Sequence, residues 1–191
     1  NNGGDWSNCG KGALFKRTRR ATNRICLLLP FEGDKVMLVD DLDVYAYRKG
    51  WPRWTSVFVP VFYPATWPII VYRFGSWVVR LRLRPLKWFL YLLYFPLKRV
   101  TEILTTIEIS EYAQIGEGFF VAHVGSIVIS HQTRIGRHAS IHQGVTIGVI
   151  GDGEKMPEIG ECVYFGAGAK IIGPVKIGNK CGDWSKRCCY T

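Results

Sequence analysis

The chain contains 191 residues, of which 25 are Lys or Arg and 15 are Asp or Glu, so its formal net charge is +10. This length is typical of one domain, with or without a smaller appendage. Residues 107–182 hold six basic and seven acidic residues, so this part of the chain is not expected to bind nucleic acid. The six cysteines lack the spacing of metal ligands, and we expect no metal site and a reduced, cytoplasmic protein.

Residues 1–36 show no sustained hydrophobic period, and the first methionine is Met37. We interpret them as a poorly ordered leader. The alternative is an ordinary flexible N-terminus.

Residues 37–106 form a basic, aromatic segment with ten basic and four acidic residues. Proline placement predicts one helix over about 68–83 and a second over about 86–105, with Pro96 kinking or breaking the second. Arg73, Trp77, Arg80 and Arg84 would share one helical face. The apolar run at 88–95 is too short to span a membrane. The helices are expected either to lie on an anionic membrane surface or to pack on the catalytic domain or on another subunit.

Residues 107–182 keep a six-residue hydrophobic period, interrupted by one eight-residue and one twelve-residue step. A short fixed period indicates a solenoid, and an even period fits strands with alternating side chains. We therefore predict a parallel β-helix with three strands in each coil, whose inward residues are Ile109, Ile115, Val121, Ile129, Ile135, Ile141, Ile147, Ile159, Phe165, Ile171 and Ile177.

The two irregular steps are candidate functional positions, because insertions in solenoids often carry the site. The eight-residue step contains His123, and the twelve-residue step contains a Gly-rich segment at 151–157 that is expected to project as a loop.

The tail at residues 183–191 does not continue the period. The repeat predicts an apolar residue at position 183, where the chain has Asp183. With one choice of codons, a one-base shift converts DWSKRCCYT into IGANAVVT, which restores the period. We interpret the tail as aberrant, the product of a frameshift; a genuinely divergent tail is the alternative.

Four segments carry a family resemblance: residues 108–116 (EISEYAQIG), 122–125 (AHVG), 141–148 (IHQGVTIG) and 166–170 (GAGAK). Together they resemble the serine O-acetyltransferase family of hexapeptide-repeat transferases, over about residues 40–182. The resemblance implies a left-handed β-helix with an N-terminal helical segment. It also implies acetyl-CoA as co-substrate, a small-molecule hydroxyl acceptor, and a homotrimer with the coenzyme in the groove between subunits.

The resemblance also implies roles for individual residues. His123 falls on the general base and Glu108 on its carboxylate partner, chemistry that suits a histidine with a pKa near 6.5. The positions expected along the coenzyme groove are Gly148, Gly166, Ala167, Ala169 and Lys170; Lys170 would meet a phosphate or simply be solvated.

The acceptor side departs from the family pattern. Ala122, Lys155 and Met156 stand where the serine enzymes have an Asp and an Arg-His pair, which weakens the amino-acid clamp. We keep serine as the first acceptor and a sugar or polysaccharide hydroxyl as the second. Two rival functions are a non-catalytic β-helix scaffold and a γ-type carbonic anhydrase with zinc on His123, His138 and His142.

Overall fold

The computed structural model describes residues 34–149 and 156–179. The interpretation of residues 183–191 as an aberrant tail, nearly all of the predicted leader and the centre of the loop at 151–157 lie outside the described residues. Helix α1 begins at Asp34. This is three residues before Met37, the predicted first residue of the helical segment.

The described N-terminal part is helical, as predicted. Its elements are α1 (Asp34–Arg48), a 3₁₀ helix (Arg53–Phe58), α2 (Val59–Phe62), a second 3₁₀ helix (Pro64–Thr66), α3 (Trp67–Arg80) and α4 (Arg84–Thr105). Extended backbone at Leu81 and Leu83 separates α3 from α4. The prediction that Arg84 shares a face with Arg73 and Arg80 is therefore wrong.

Pro96 does not break α4, which continues from Arg84 to Thr105. The proline removes the N–H that would bond the Leu92 carbonyl. Both residues lie on the exposed side of the helix, where water can satisfy that carbonyl. Of the two predicted effects of Pro96, the break is therefore wrong, and the kink stays a prediction.

The C-terminal part is a parallel β-solenoid of three complete coils and two further strands. The strands are β1 (Ile107–Ile109), β2 (Gln114–Ile115), β3 (Phe120–Val121), β4 (Ile127–Ile129), β5 (Arg134–Ile135), β6 (Ser140–Ile141), β7 (Thr146–Gly148), β8 (Glu158–Ile159), β9 (Tyr164–Phe165), β10 (Lys170–Ile172) and β11 (Lys176–Ile177). Three sheets form its faces, in the orders β1-β4-β7-β10, β2-β5-β8-β11 and β3-β6-β9.

The inward positions of the hexapeptide period stack in register. Ile109 pairs with Ile129, and Ile147 pairs with both Ile129 and Ile171. All eleven predicted inward residues are buried, which confirms the solenoid and its core.

A buried ion pair joins the helices to the first coil. The Arg73 Nε donates to the Asp41 carboxylate at 2.8 Å, and both side chains are buried. Asp41 also accepts the Phe119 amide at 2.8 Å, while Arg73 donates to the Ile115 carbonyl at 2.7 Å. The expectation that the helical segment packs on the rest of the protein therefore holds for α1 and α3.

No single helix among the described residues is long and apolar enough to cross a membrane. One bent pair of helical segments, Arg53–Phe62 with Pro64–Arg80 at 99°, meets the length and composition criteria for a span.

Cys162 is disulfide-bonded. This differs from the expectation that the cysteines are reduced.

Candidate active site

His123 lies in the turn between β3 and β4, and its side chain is exposed. The eight-residue step allows this turn, since Gly125 and Ser126 both adopt positive φ, at 132° and 43°. The ends of the turn are fixed: the Ala122 amide donates to the Ile141 carbonyl at 2.9 Å, and the Ser126 amide donates to Thr106 Oγ1 at 2.9 Å. The turn therefore presents His123 on a held backbone.

Three aromatic rings stand beside one another on successive coils. The His123 and His142 ring centroids are 5.8 Å apart, and those of His142 and Tyr164 are 4.9 Å apart, both edge-on. The parallel pairing of β3 with β6 and of β6 with β9 stacks the three coils, so the residues at and just beyond the ends of these strands lie near one another.

Arg48, at the end of α1, reaches the same face of the solenoid. Its Nη2 donates to Ser140 Oγ at 2.9 Å, and its Cζ lies 3.9 Å from the centroid of the Phe120 ring. Burial lowers the pKa of His142, and the charges of His123 and Arg48 lower it further. His142 therefore favours the neutral imidazole beside an exposed His123.

Glu108 occupies the centre of β1 with its side chain exposed, in register with Val128. Within the described residues, no hydrogen bond or ion pair joins Glu108 to His123. The exposed carboxylate and imidazole are each accessible to a ligand. Their pairing as a catalytic dyad stays a prediction.

The residues predicted for the coenzyme lie at the ends of strands in the last two coils. Gly148 ends β7 opposite Ile172 of β10, and Ala169 packs against the hydrophobic core. Gly166 and Ala167 form the turn after β9, where Ala167 is exposed. Apart from its chain neighbours, a Cβ added at Gly166 would meet no atom of the described residues within 4 Å, so this turn borders open space in that part of the chain.

Lys170 makes contacts that the sequence did not predict. Its Nζ donates to the Gly144 carbonyl at 2.8 Å and to Thr146 Oγ1 at 2.7 Å. The ammonium group is thus held against the solenoid while the side chain stays exposed. Lys170 therefore presents a positive charge at a fixed place on the surface.

The residues predicted on the acceptor side are only partly described. Ala122 is half-buried next to His123, and Met156 is half-buried just before β8. Lys155 lies outside the described residues.

Sequence reasoning missed Arg48 and Tyr164 as neighbours of the histidine row. Tyr164 carried a usable signal: it precedes the inward Phe165, so alternation directs it outward. Arg48 had no such signal, because it lies 92 residues from Ser140 in the chain.

Comparison with known proteins identifies serine acetyltransferases. The enzyme of Mycobacterium tuberculosis is 32% identical over 139 residues, covering 71% of this chain and 58% of that protein. The enzyme of Helicobacter pylori is 32% identical over 123 residues, covering 63% of this chain and 68% of that protein. That of Synechocystis sp. is 35% identical, with 60% and 44% covered. The chain thus spans about half to two thirds of the length of these relatives.

Solved structures agree with the sequence matches. A truncated serine acetyltransferase apoenzyme superposes with a TM-score of 0.62 at 27% identity, over 77% of this chain and 59% of that chain. A serine acetyltransferase in complex with CoA gives 0.60 at 26% identity, over 77% and 58%. No protein-family profile matches the chain. The solenoid with its preceding helices is a left-handed β-helix of the acyltransferase type, and the chain belongs to the serine acetyltransferase family.

Proposed function

We propose that this chain transfers the acetyl group of acetyl-CoA to the hydroxyl of a small acceptor, with L-serine as the first acceptor and His123 as the general base. The observation that carries the proposal is the exposed His123 on a held turn of a β-helix whose relatives are serine acetyltransferases.

The chemistry requires one proton acceptor and no covalent enzyme intermediate. The His123 imidazole takes the hydroxyl proton as the oxygen attacks the thioester carbonyl. The tetrahedral intermediate then expels the CoA thiolate, to which the imidazolium returns the proton. A carboxylate stabilises that imidazolium, and we assign this role to Glu108.

We propose that acetyl-CoA lies along the turn after β9 and the end of β7. Gly148, Gly166, Ala167 and Ala169 are small, and the open space beside Gly166 leaves room for pantetheine. The fixed Lys170 ammonium supplies a positive charge for a phosphate. In a homotrimer, which we also propose, this face would border a neighbouring subunit.

Fewer residues indicate the identity of the acceptor than indicate the coenzyme. Ala122 and Met156 offer no charge, and Lys155 is the one cation among the three positions of the weakened clamp. A sugar or polysaccharide hydroxyl is therefore the second candidate acceptor. We propose a cytoplasmic enzyme at the periphery of a membrane, where such acceptors are available.

The test is a screen of acceptors that follows release of CoA thiol from acetyl-CoA. L-serine and a set of sugars are compared with buffer alone. Thiol release that depends on L-serine supports the first acceptor, and release that depends on a sugar supports the second. Intact acetyl-CoA with every acceptor would favour the non-catalytic scaffold.

Zinc analysis of the same sample addresses the rival function of a carbonic anhydrase. Among the described residues, no group of three or more His, Cys, Asp or Glu is placed to hold a metal ion. Stoichiometric zinc with CO₂ hydration would contradict the acetyl-transfer proposal.

A further inference from the structure

Helix α4 turns its more polar side inward. Tyr94 and Thr101 are buried, and Lys98 is mostly covered as its Nζ bonds the Glu111 carboxylate at 2.6 Å. Thr105, one turn beyond Thr101, is also buried. The side chains that α4 uses to dock on the protein are therefore hydroxyl-bearing or charged.

The opposite side of α4 is apolar and exposed. Phe89, Leu92, Pro96, Val100 and Ile103 are spaced three, four, four and three residues apart, so they form one stripe along the helix, which we call the α4 stripe. Leu92 is 75% exposed and Ile103 is 76% exposed. The adjacent Trp88, Leu93 and Leu104 are also exposed. A continuous apolar surface of this kind marks an interaction site.

The charge around the α4 stripe defines its partner. Of the basic residues that precede or form α4, Lys98 is already paired with Glu111 at 2.6 Å. Arg82, in the extended segment before α4, and Arg84, its first residue, are both exposed. Glu102, the acidic residue of α4, bonds Arg99 at 2.8 Å. A second copy of α4 would therefore bring arginines but no available carboxylate, whereas anionic lipid headgroups supply the missing negative charge.

We propose that α4 binds the surface of an anionic membrane, with the α4 stripe in the acyl boundary and Arg82 and Arg84 on lipid phosphates. A helix of 22 residues is about 33 Å long, and no single described helix meets the criteria for a span. In-plane binding of an amphipathic helix fits both facts. This gives the proposed peripheral location a surface and a lipid class, and it does not depend on acetyl transfer.

Flotation of the full chain with lipid vesicles tests the proposal. One set of vesicles is phosphatidylcholine alone, and the other contains phosphatidylglycerol as well. We expect flotation with the anionic vesicles, weakened by added salt. The double variant Leu92→Glu/Ile103→Glu should abolish flotation, and Arg82→Gln/Arg84→Gln should weaken it about tenfold or more.

A matched control is Ile172→Glu, which adds the same charge at an exposed apolar position of β10, at the far edge of the sheet from the strand that α4 contacts. It should float like the unaltered chain. Circular dichroism verifies that each variant folds, and CoA-thiol release is measured in parallel, so that loss of vesicle binding is distinguished from loss of acetyl transfer.

Two results would overturn the proposal. One is the absence of flotation with anionic vesicles, or equal flotation of the Leu92→Glu/Ile103→Glu variant. The other is an oligomer, measured by light scattering, that this variant dissociates while neither form floats, which would assign the α4 stripe to a second copy of the chain.

Discussion

The His123 and His142 rings lie edge-on, with their centroids 5.8 Å apart. The two imidazoles come from successive coils, so the solenoid itself sets their separation. Because burial and the charges of His123 and Arg48 lower the pKa of His142, His123 is part of the electrostatic environment of His142.

Removing either neighbouring charge should move the pKa of His142. We expect His123→Asn and Arg48→Gln each to raise this pKa toward the ordinary value near 6.5, though not to reach it, because burial is the largest cause of the shift. NMR titration of the His142 ring measures the effect. A pKa that stays unchanged in both variants would contradict the arrangement of these three residues.

Asp40 should destabilise the fold at neutral and alkaline pH. Burial, and then the charges of Glu117, Asp43 and Asp41, raise its pKa to about 6. A carboxyl whose folded pKa exceeds its unfolded value stabilises the fold below the unfolded value and loses that contribution as pH rises through the folded one. Asp40→Asn should therefore raise the free energy of unfolding by about 2 kcal/mol near pH 8 and change it little near pH 4.

Asp43→Asn is the control for this prediction, because it makes the same change on the same helix. Asp43 accepts hydrogen bonds from Arg53, including one from Nε at 3.0 Å, so its neutralisation breaks an ion pair. Its charge is only one of the smaller causes of the Asp40 shift, so Asp43→Asn should give much less gain than Asp40→Asn. Urea unfolding at both pH values compares the variants. If the two substitutions changed the free energy of unfolding equally at both pH values, the destabilising effect assigned to Asp40 would be refuted.

The Arg73–Asp41 pair should be essential for docking α1 and α3 on the first coil. Arg73→Met leaves Asp41 buried without its counter-charge, so the free energy of unfolding should fall by about 3–5 kcal/mol. Arg99→Met removes an exposed pair with Glu102 and should cost at most about 1 kcal/mol. Similar losses in urea unfolding would show that the Arg73–Asp41 contact is not the main link.

Two glycines should respond differently to alanine. A Cβ at Gly136 would lie 2.6 Å from backbone atoms of Gly160, whereas one at Gly166 would meet no atom of the described ranges within 4 Å beyond its chain neighbours. Gly136→Ala should therefore lower the melting temperature. Gly166→Ala should leave it unchanged and raise KM for acetyl-CoA if the coenzyme lies where we propose. An unchanged KM with Gly166→Ala would remove this turn from the coenzyme site.

The sequence predicted the solenoid well and the helical part less well, for a physical reason. An inward residue such as Ile147 repeats at a fixed spacing, because each coil presents the same environment to it. The helices dock instead through single long-range contacts, such as Arg73 with Asp41 or Tyr45 with the Val121 carbonyl at 2.8 Å. Such contacts leave no period in the sequence.

In the candidate site, too, the sequence indicates residues of the repeat more readily than residues that reach it from the helices. The sequence singles out His123 because it lies in an irregular step of the hexapeptide period and in a segment that resembles the family motif; its catalytic role stays a prediction. Its partner carboxylate was not settled in the same way, since Glu108 lies on an exposed strand face without a hydrogen bond to His123 among the described residues. Arg48 approaches the site from a helix, which the repeat cannot register.

The most direct measurement of the central claim is the rate of CoA-thiol release from acetyl-CoA, with the best acceptor of the screen, for the unaltered chain, His123→Ala and His131→Ala. His131 is an exposed histidine of the same solenoid, and its Nδ1 lies 3.5 Å from Ser130 Oγ. If His123 is the general base, His123→Ala lowers turnover by about a hundredfold or more while His131→Ala leaves it unchanged. Unchanged turnover in His123→Ala would contradict the account.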